Sequence, residues 1–130
     1  LHSVLQVPGQ HEVHAICVHL GLSENHRQQQ LGLLCELLEQ VPADAPVIVA
    51  GDFNDWRQRA CAVLEQRAGL REAFAHTQGR LARTFPARWP LLALDRIYVR
   101  NAQMQDAQTL STRPWSHLSD HLPLAVELLL

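Results

Sequence analysis

The stretch VIVAGDFND, Val47 to Asp55, sets a short apolar run directly against two carboxylates and an amide. Val47, Ile48 and Val49 are β-branched, and with Ala50 they read as a short strand covered on both faces. Asp and Asn favour turns and helix caps, where they hydrogen-bond nearby backbone. The strand therefore stops where the polar residues start. Rigid strand ends are also where α/β proteins place their chemistry.

Working outward, Pro42 and Pro46 separate this strand from a helix that starts after Ser23 as N-cap, with Glu24 in its first turn. Leu31, Leu34, Cys35, Leu38 and Val41 recur along that helix at helical spacing. Before it, Ser3–Val7 and Glu12–Leu20 read as strands joined by the turn Pro8-Gly9-Gln10. Val13, Ala15 and Cys17 alternate with Ile16, Val18 and Leu20, which predicts a strand buried on both faces. After the acidic cluster, Arg57–Ala68 reads as a helix stopped by Gly69, and a short helical turn is expected over Leu70–Ala75. Residues 77–92 lack a period and read as a long loop with a short strand near Thr84-Phe85. Leu94–Val99, Gln103–Leu110 and Leu122–Leu130 complete a mixed α/β order.

The chain has 130 residues, 47% of them apolar, which is one domain's worth of material with a substantial core. A formal charge of −2 gives no global reason to bind polyanions and argues against high-affinity binding to duplex DNA. All eleven basic residues are Arg; Arg forks suit phosphate, and a genomic codon bias gives the same pattern. Cys17, Cys35 and Cys61 each lie in an apolar stretch and read as buried, reduced core residues, and no CxxC pair suggests structural zinc. No apolar run approaches the roughly 18–20 residues of a membrane span, and no stretch of these residues is expected to act as a signal peptide. The compartment stays open, with the cytoplasm as the expected one.

Several strand ends carry chemistry together. His19 closes the first buried strand, Asp52 and Asn54 follow the central one, Asp95 lies in LDRIYV, and Ser119-Asp120-His121 precedes the last strand. A carboxylate inside an apolar strand must find a cation or a donor, because leaving it unpaired costs several kcal/mol or more. Asp95 therefore requires a partner, and Arg96 points to the opposite face.

The ordered set HL, GDFN, LDRIYV and SDHLPL resembles the endonuclease/exonuclease/phosphatase superfamily from about residue 12 to the last residue. The resemblance implies half of a four-layer α/β/β/α sandwich, with a mixed, mostly antiparallel sheet carrying helices on one face. It implies hydrolysis of phosphoester bonds in nucleic acid, phospholipid or small molecules, assisted by Mg²⁺ or Mn²⁺. Asp52 would orient the attacking water and share the cation with Asp120. Asn54 and His121 would contact the phosphate, Asp95 would hold His121, and His19 would assist the leaving group. The family's Asn and metal-binding Glu motifs lie N-terminal to the region matched, so residues 1–130 are expected to be a single domain forming the C-terminal half of such a protein. Alone it is expected to be inactive, and its inner sheet face is expected to meet the missing half or a second copy. The alternative is a binding or assembly module on the same scaffold.

The other candidates carry plainer readings beside functional ones. Arg83, Arg88 and Arg113 are phosphate-contact candidates or solvated surface. Trp56, Trp89 and Trp115 are core or an aromatic rim, with Arg88 and Trp115 the pair assigned to substrate. His11 with His14, and His117 with His121, are spaced as metal pairs, a spacing that chance often gives. His2, His26 and His76 read as surface or caps.

Overall fold

The computed structural model describes residues 1–9 and 12–130. Strand β1 (His2–Gln6) pairs antiparallel with β2 (Glu12–His19), as expected of a hairpin; Gln10 of the expected turn and His11 lie outside the described residues. Helix α1 (Glu24–Glu39) follows, then β3 (Val47–Asp52), which lies parallel to β2. Helix α2 (Arg59–Ala68) ends at Gly69, whose φ of 65° is the left-handed cap its sequence signals. A two-residue strand β4 (Arg71–Glu72) occupies the start of the expected helical turn, so that helix, α3 (Ala73–Gln78), begins later. Strands β5 (Asp95–Arg100), β6 (Gln103–Thr109) and β7 (Leu124–Leu129) complete the chain.

The large sheet has the order β1-β2-β3-β5-β4, with only the β2–β3 pair parallel. The apolar run Val47–Ala50 thus sits in the middle strand. Helices α1 and α2 cover one face, where Ile16, Leu20, Val47, Val49 and Tyr98 meet Leu31, Leu34, Leu38 and Leu64. Each such fully buried aliphatic side chain contributes about 1.5–3 kcal/mol. Phe53, fully buried, packs against Tyr98 with ring centroids 5.1 Å apart and anchors the turn after β3 to this core.

Strands β6 and β7 do not extend the large sheet; they form their own antiparallel pair. Met104, Ala107, Leu124, Val126 and Leu128 of that pair join Val99, Phe74 and Ala73 in a second core. The expected strand near Thr84 reduces to a single bridge between Phe85 and Leu92. Ser23 stands at the N-cap of α1 without a side-chain hydrogen bond; buried Arg27 instead donates to the Gly21 and Leu22 carbonyls at 3.2 and 2.6 Å.

The face of the large sheet away from α1 and α2 corrects one expectation. Cys17 is exposed there and Cys61 only half-buried, leaving Cys35 as the buried thiol of the three. Alternation along β2 puts Cys17 opposite the helices, where nothing among the described residues covers it. Ala15, Ile48 and Ala50 share that face and are half-buried.

Candidate active site

Three polar strand ends stand in one row. His19, the last residue of β2, is the register partner of Asp52, the last residue of β3, and Asp52 is in turn the partner of Asp95, the first residue of β5. Directly opposed residues on one face lie about 4.5–5.5 Å apart at Cβ. His19 Nε2 approaches Asp52 Oδ2 to 3.6 Å, and its ring is largely exposed.

Gly51 makes the end of β3 possible. Its φ of 147° and its backbone leave no room for a side chain, since a Cβ would fall 1.9 Å from the Val18 carbonyl oxygen. Past Asp52 the chain turns sharply. Asn54 adopts φ 48°, a left-handed conformation Asn tolerates, and its N–H donates to Asp52 Oδ1 at 2.9 Å. The buried Asn54 amide donates through Nδ2 to the Leu20 carbonyl at 2.8 Å, which ties the β3 turn to the end of β2 and leaves the second amide proton free. Asp55 accepts from the Ala60 N–H at 2.8 Å, satisfying an early donor of α2.

Asp95 has the partner it requires. Its Oδ2 accepts from His121 Nδ1 at 2.8 Å and from the Thr84 hydroxyl. A carboxylate accepts only, so His121 carries a proton on Nδ1. Burial opposes charging this imidazole, but the Asp95 hydrogen bond and the negative charges of Asp95, Asp52 and Asp120 outweigh it and hold its pKa above the ordinary histidine value. Ser119 Oγ accepts from the His121 backbone N–H at 3.1 Å, and the Phe85 ring packs against the imidazole with centroids 5.0 Å apart. Arg96 is buried on the other face, where it donates to the Ala93, Asp95 and Asp55 carbonyls. A cleft of about 340 Å³ opens at this point, with Gly51, Asp95, Ser119 and His121 on its wall.

The structure therefore brings His19, Asp52, Asn54, Asp95 and His121 together. Asp120 is exposed beside them, its carbonyl accepting from the Ala87 N–H at 2.7 Å. Of the expected site residues only Asp95 and His121 line the cleft; His19, Asp52, Asn54 and Asp120 do not, nor do Arg88, which is exposed, and Trp115, which begins a short 3-10 turn. His117 bonds Ser116 Oγ, and His14 faces His2 at 3.0 Å. Thr84, fully buried on Asp95, was not anticipated; it sits in an aperiodic loop with no local signal.

Asp52 and Asp120 are hard oxygen donors of the type Mg²⁺ takes, and Mg²⁺ sites use one or two carboxylates plus waters. Among the described residues, however, no three His, Cys, Asp or Glu side chains are placed to hold one metal ion. The donor type fits a cation; the donor number does not make a closed site. No helix is long and apolar enough to cross a membrane.

A model of the Endonuclease/Exonuclease/phosphatase family matches residues 5–121. An uncharacterized protein of Escherichia coli K12, YbhP, is 55% identical over 116 residues, which cover 89% of this chain and 46% of that protein. The chain thus spans about half the length of that curated relative. A Bacteroides thetaiotaomicron mannosyl-6-phosphatase superposes with TM-score 0.76 at 20% identity, over 92% of this chain and 52% of the other. Danio rerio TDP2, complexed with a single-strand DNA product, superposes with TM-score 0.73 at 20% identity, over 95% and 58%. At these identities the two structures establish the shared fold.

Proposed function

Since the chain belongs to the Endonuclease/Exonuclease/phosphatase family, we propose that it carries the water-activating and phosphate-binding part of a phosphoesterase centre. The reading rests on one observation above all: the register row His19–Asp52–Asp95, with His121 clamped on Asp95.

Hydrolysis of a phosphoester needs an oriented water, charge neutralisation on the phosphoryl oxygens and a proton for the leaving oxygen. Asp52 supplies the first. Its Oδ1 accepts from the Asn54 N–H and its Oδ2 faces His19 Nε2 at 3.6 Å, and both oxygens keep lone pairs for the water and for a cation. His121 supplies the second, because Asp95 engages Nδ1 and the neighbouring carboxylates favour the charged ring, whose Nε2–H is then a donor for the phosphate. The free Asn54 amide proton adds a second donor to the same oxygens. His19, exposed at the edge of the row, is assigned the protonation of the leaving oxygen.

A divalent cation, when bound, would neutralise charge on the phosphate. Asp52 and Asp120 are the ligands this chain offers, and the remaining donors come from outside it. In this reading residues 1–130 are the C-terminal half of a two-sheet domain, and the half-buried face bearing Ala15, Ile48 and Ala50 is where the other half packs.

The test uses full-length protein with bis(p-nitrophenyl) phosphate and Mg²⁺. Turnover should fall at least about 100-fold in Asp52→Ala and in His121→Ala, the lower range for losing a proton-transfer or charge-stabilising group. Undiminished turnover in both would refute the roles.

A further inference from the structure

Beside the catalytic cleft lies a second and larger groove, about 680 Å³, bounded by helix α3, the 80–93 loop and the end of β6. Its volume is within the usual range of small-molecule sites. The polar side chains that line it are Gln58, Gln78, Arg80, Arg83, Thr109 and Ser111, and no carboxylate is among the lining residues. In a chain with more acids than bases, a groove with two arginines and no acid is a local inversion of charge.

Both arginines are exposed, and neither belongs to an ion pair among the described residues. The guanidinium fork matches phosphate geometry with two donors at once. One wall of the groove is Trp56, whose indole is held by the Arg27 guanidinium at 5.0 Å.

The groove is joined to the centre already described. Leu122 lines both spaces and follows His121 directly. The Leu122 N–H donates to the Thr84 carbonyl at 2.9 Å, and the Thr84 hydroxyl bonds Asp95. Arg83 is one residue from Thr84, so it rides on the segment that anchors the catalytic carboxylate.

We propose that this groove is a second anion subsite, in which Arg80 and Arg83 hold a further phosphate carried by the same substrate as the reacting phosphoester. The inference rests on the phosphoesterase reading of the neighbouring cleft and names the substrate class: phosphoesters bearing a second phosphate. A nucleoside backbone and a polyol backbone present that chemistry equally, so the test includes both.

Calorimetric titration of the full-length protein compares thymidine 3′,5′-bisphosphate with thymidine 5′-monophosphate, and inositol 1,4-bisphosphate with inositol 1-phosphate. In at least one pair the bisphosphate should bind about tenfold more tightly or better, and the pair that shows the gain identifies the backbone. In Arg80→Gln/Arg83→Gln the ratio should fall to about one. A ratio near one in both pairs for the wild type, or a gain that survives in the double variant, overturns the subsite. The titration needs no turnover, so absent hydrolysis of bis(p-nitrophenyl) phosphate would sink the phosphoesterase reading separately.

Discussion

His121 Nδ1 lies 2.8 Å from Asp95 Oδ2 across 26 residues of sequence. The pair fixes a tautomer and raises a pKa, and both follow from where two strands end. Folding therefore favours the imidazolium more than the unfolded chain does. The stability from this pair is complete below the ordinary histidine value of about 6.5 and is lost as pH rises through the folded value.

Asp95→Asn removes the charge while keeping the shape. The NMR titration of His121 should move to lower pH, and urea stability should lose pH dependence across that window. A His121 titration unchanged from wild type would contradict the pairing.

Gly51→Ala places a Cβ 1.9 Å from the Val18 carbonyl oxygen, which is backbone and cannot swing aside. A loss on the order of 4 kcal/mol or more is expected, in the exceptional class of point substitutions. Thermal unfolding reads it directly, and a melting temperature near wild type would show that β2 and β3 are spaced differently.

Thr84→Val preserves volume at a fully buried position but removes a donor to Asp95. About 1.5 kcal/mol of stability should go with it, the low end for a hydrogen bond to a charged group, since Asp95 is partly exposed and keeps its bond to His121. Turnover should fall as Asp95 loosens its hold on His121. Stability and turnover both unaffected would make Thr84 a packing residue only.

Arg27→Met keeps an unbranched stem in a buried slot but strips the donors to the Gly21 and Leu22 carbonyls. Hydrogen bonds to a charged group contribute about 1.5–3 kcal/mol each, so denaturant unfolding should shift by about that much or more. The loop after His19 should exchange its amides faster, and a segment as protected as in wild type would count against Arg27 as its anchor.

Much of this was legible in the chain itself. VIVAGDFND announced a central strand ending in polar side chains, because β-branched burial and turn-forming acids leave a local mark. The carboxylate in LDRIYV implied a partner by its cost alone. Cys17 was misjudged because alternation tells which residues share a face and not whether anything covers it. The separate β6–β7 sheet and the Thr84 contact depend on pairings between distant segments, which no window of sequence contains. The groove at Arg80 and Arg83 exists only once α3, the loop and β6 converge.

The proposed phosphoesterase centre is the row His19–Asp52–Asp95 with His121. Full-length wild type, Asp52→Ala and His121→Ala, assayed with Mg²⁺ on bis(p-nitrophenyl) phosphate, test it most directly. Hydrolysis by the wild type and its near-complete loss in each variant, with folding retained, is the expected result. No hydrolysis by the wild type, or full hydrolysis by both variants, would contradict it.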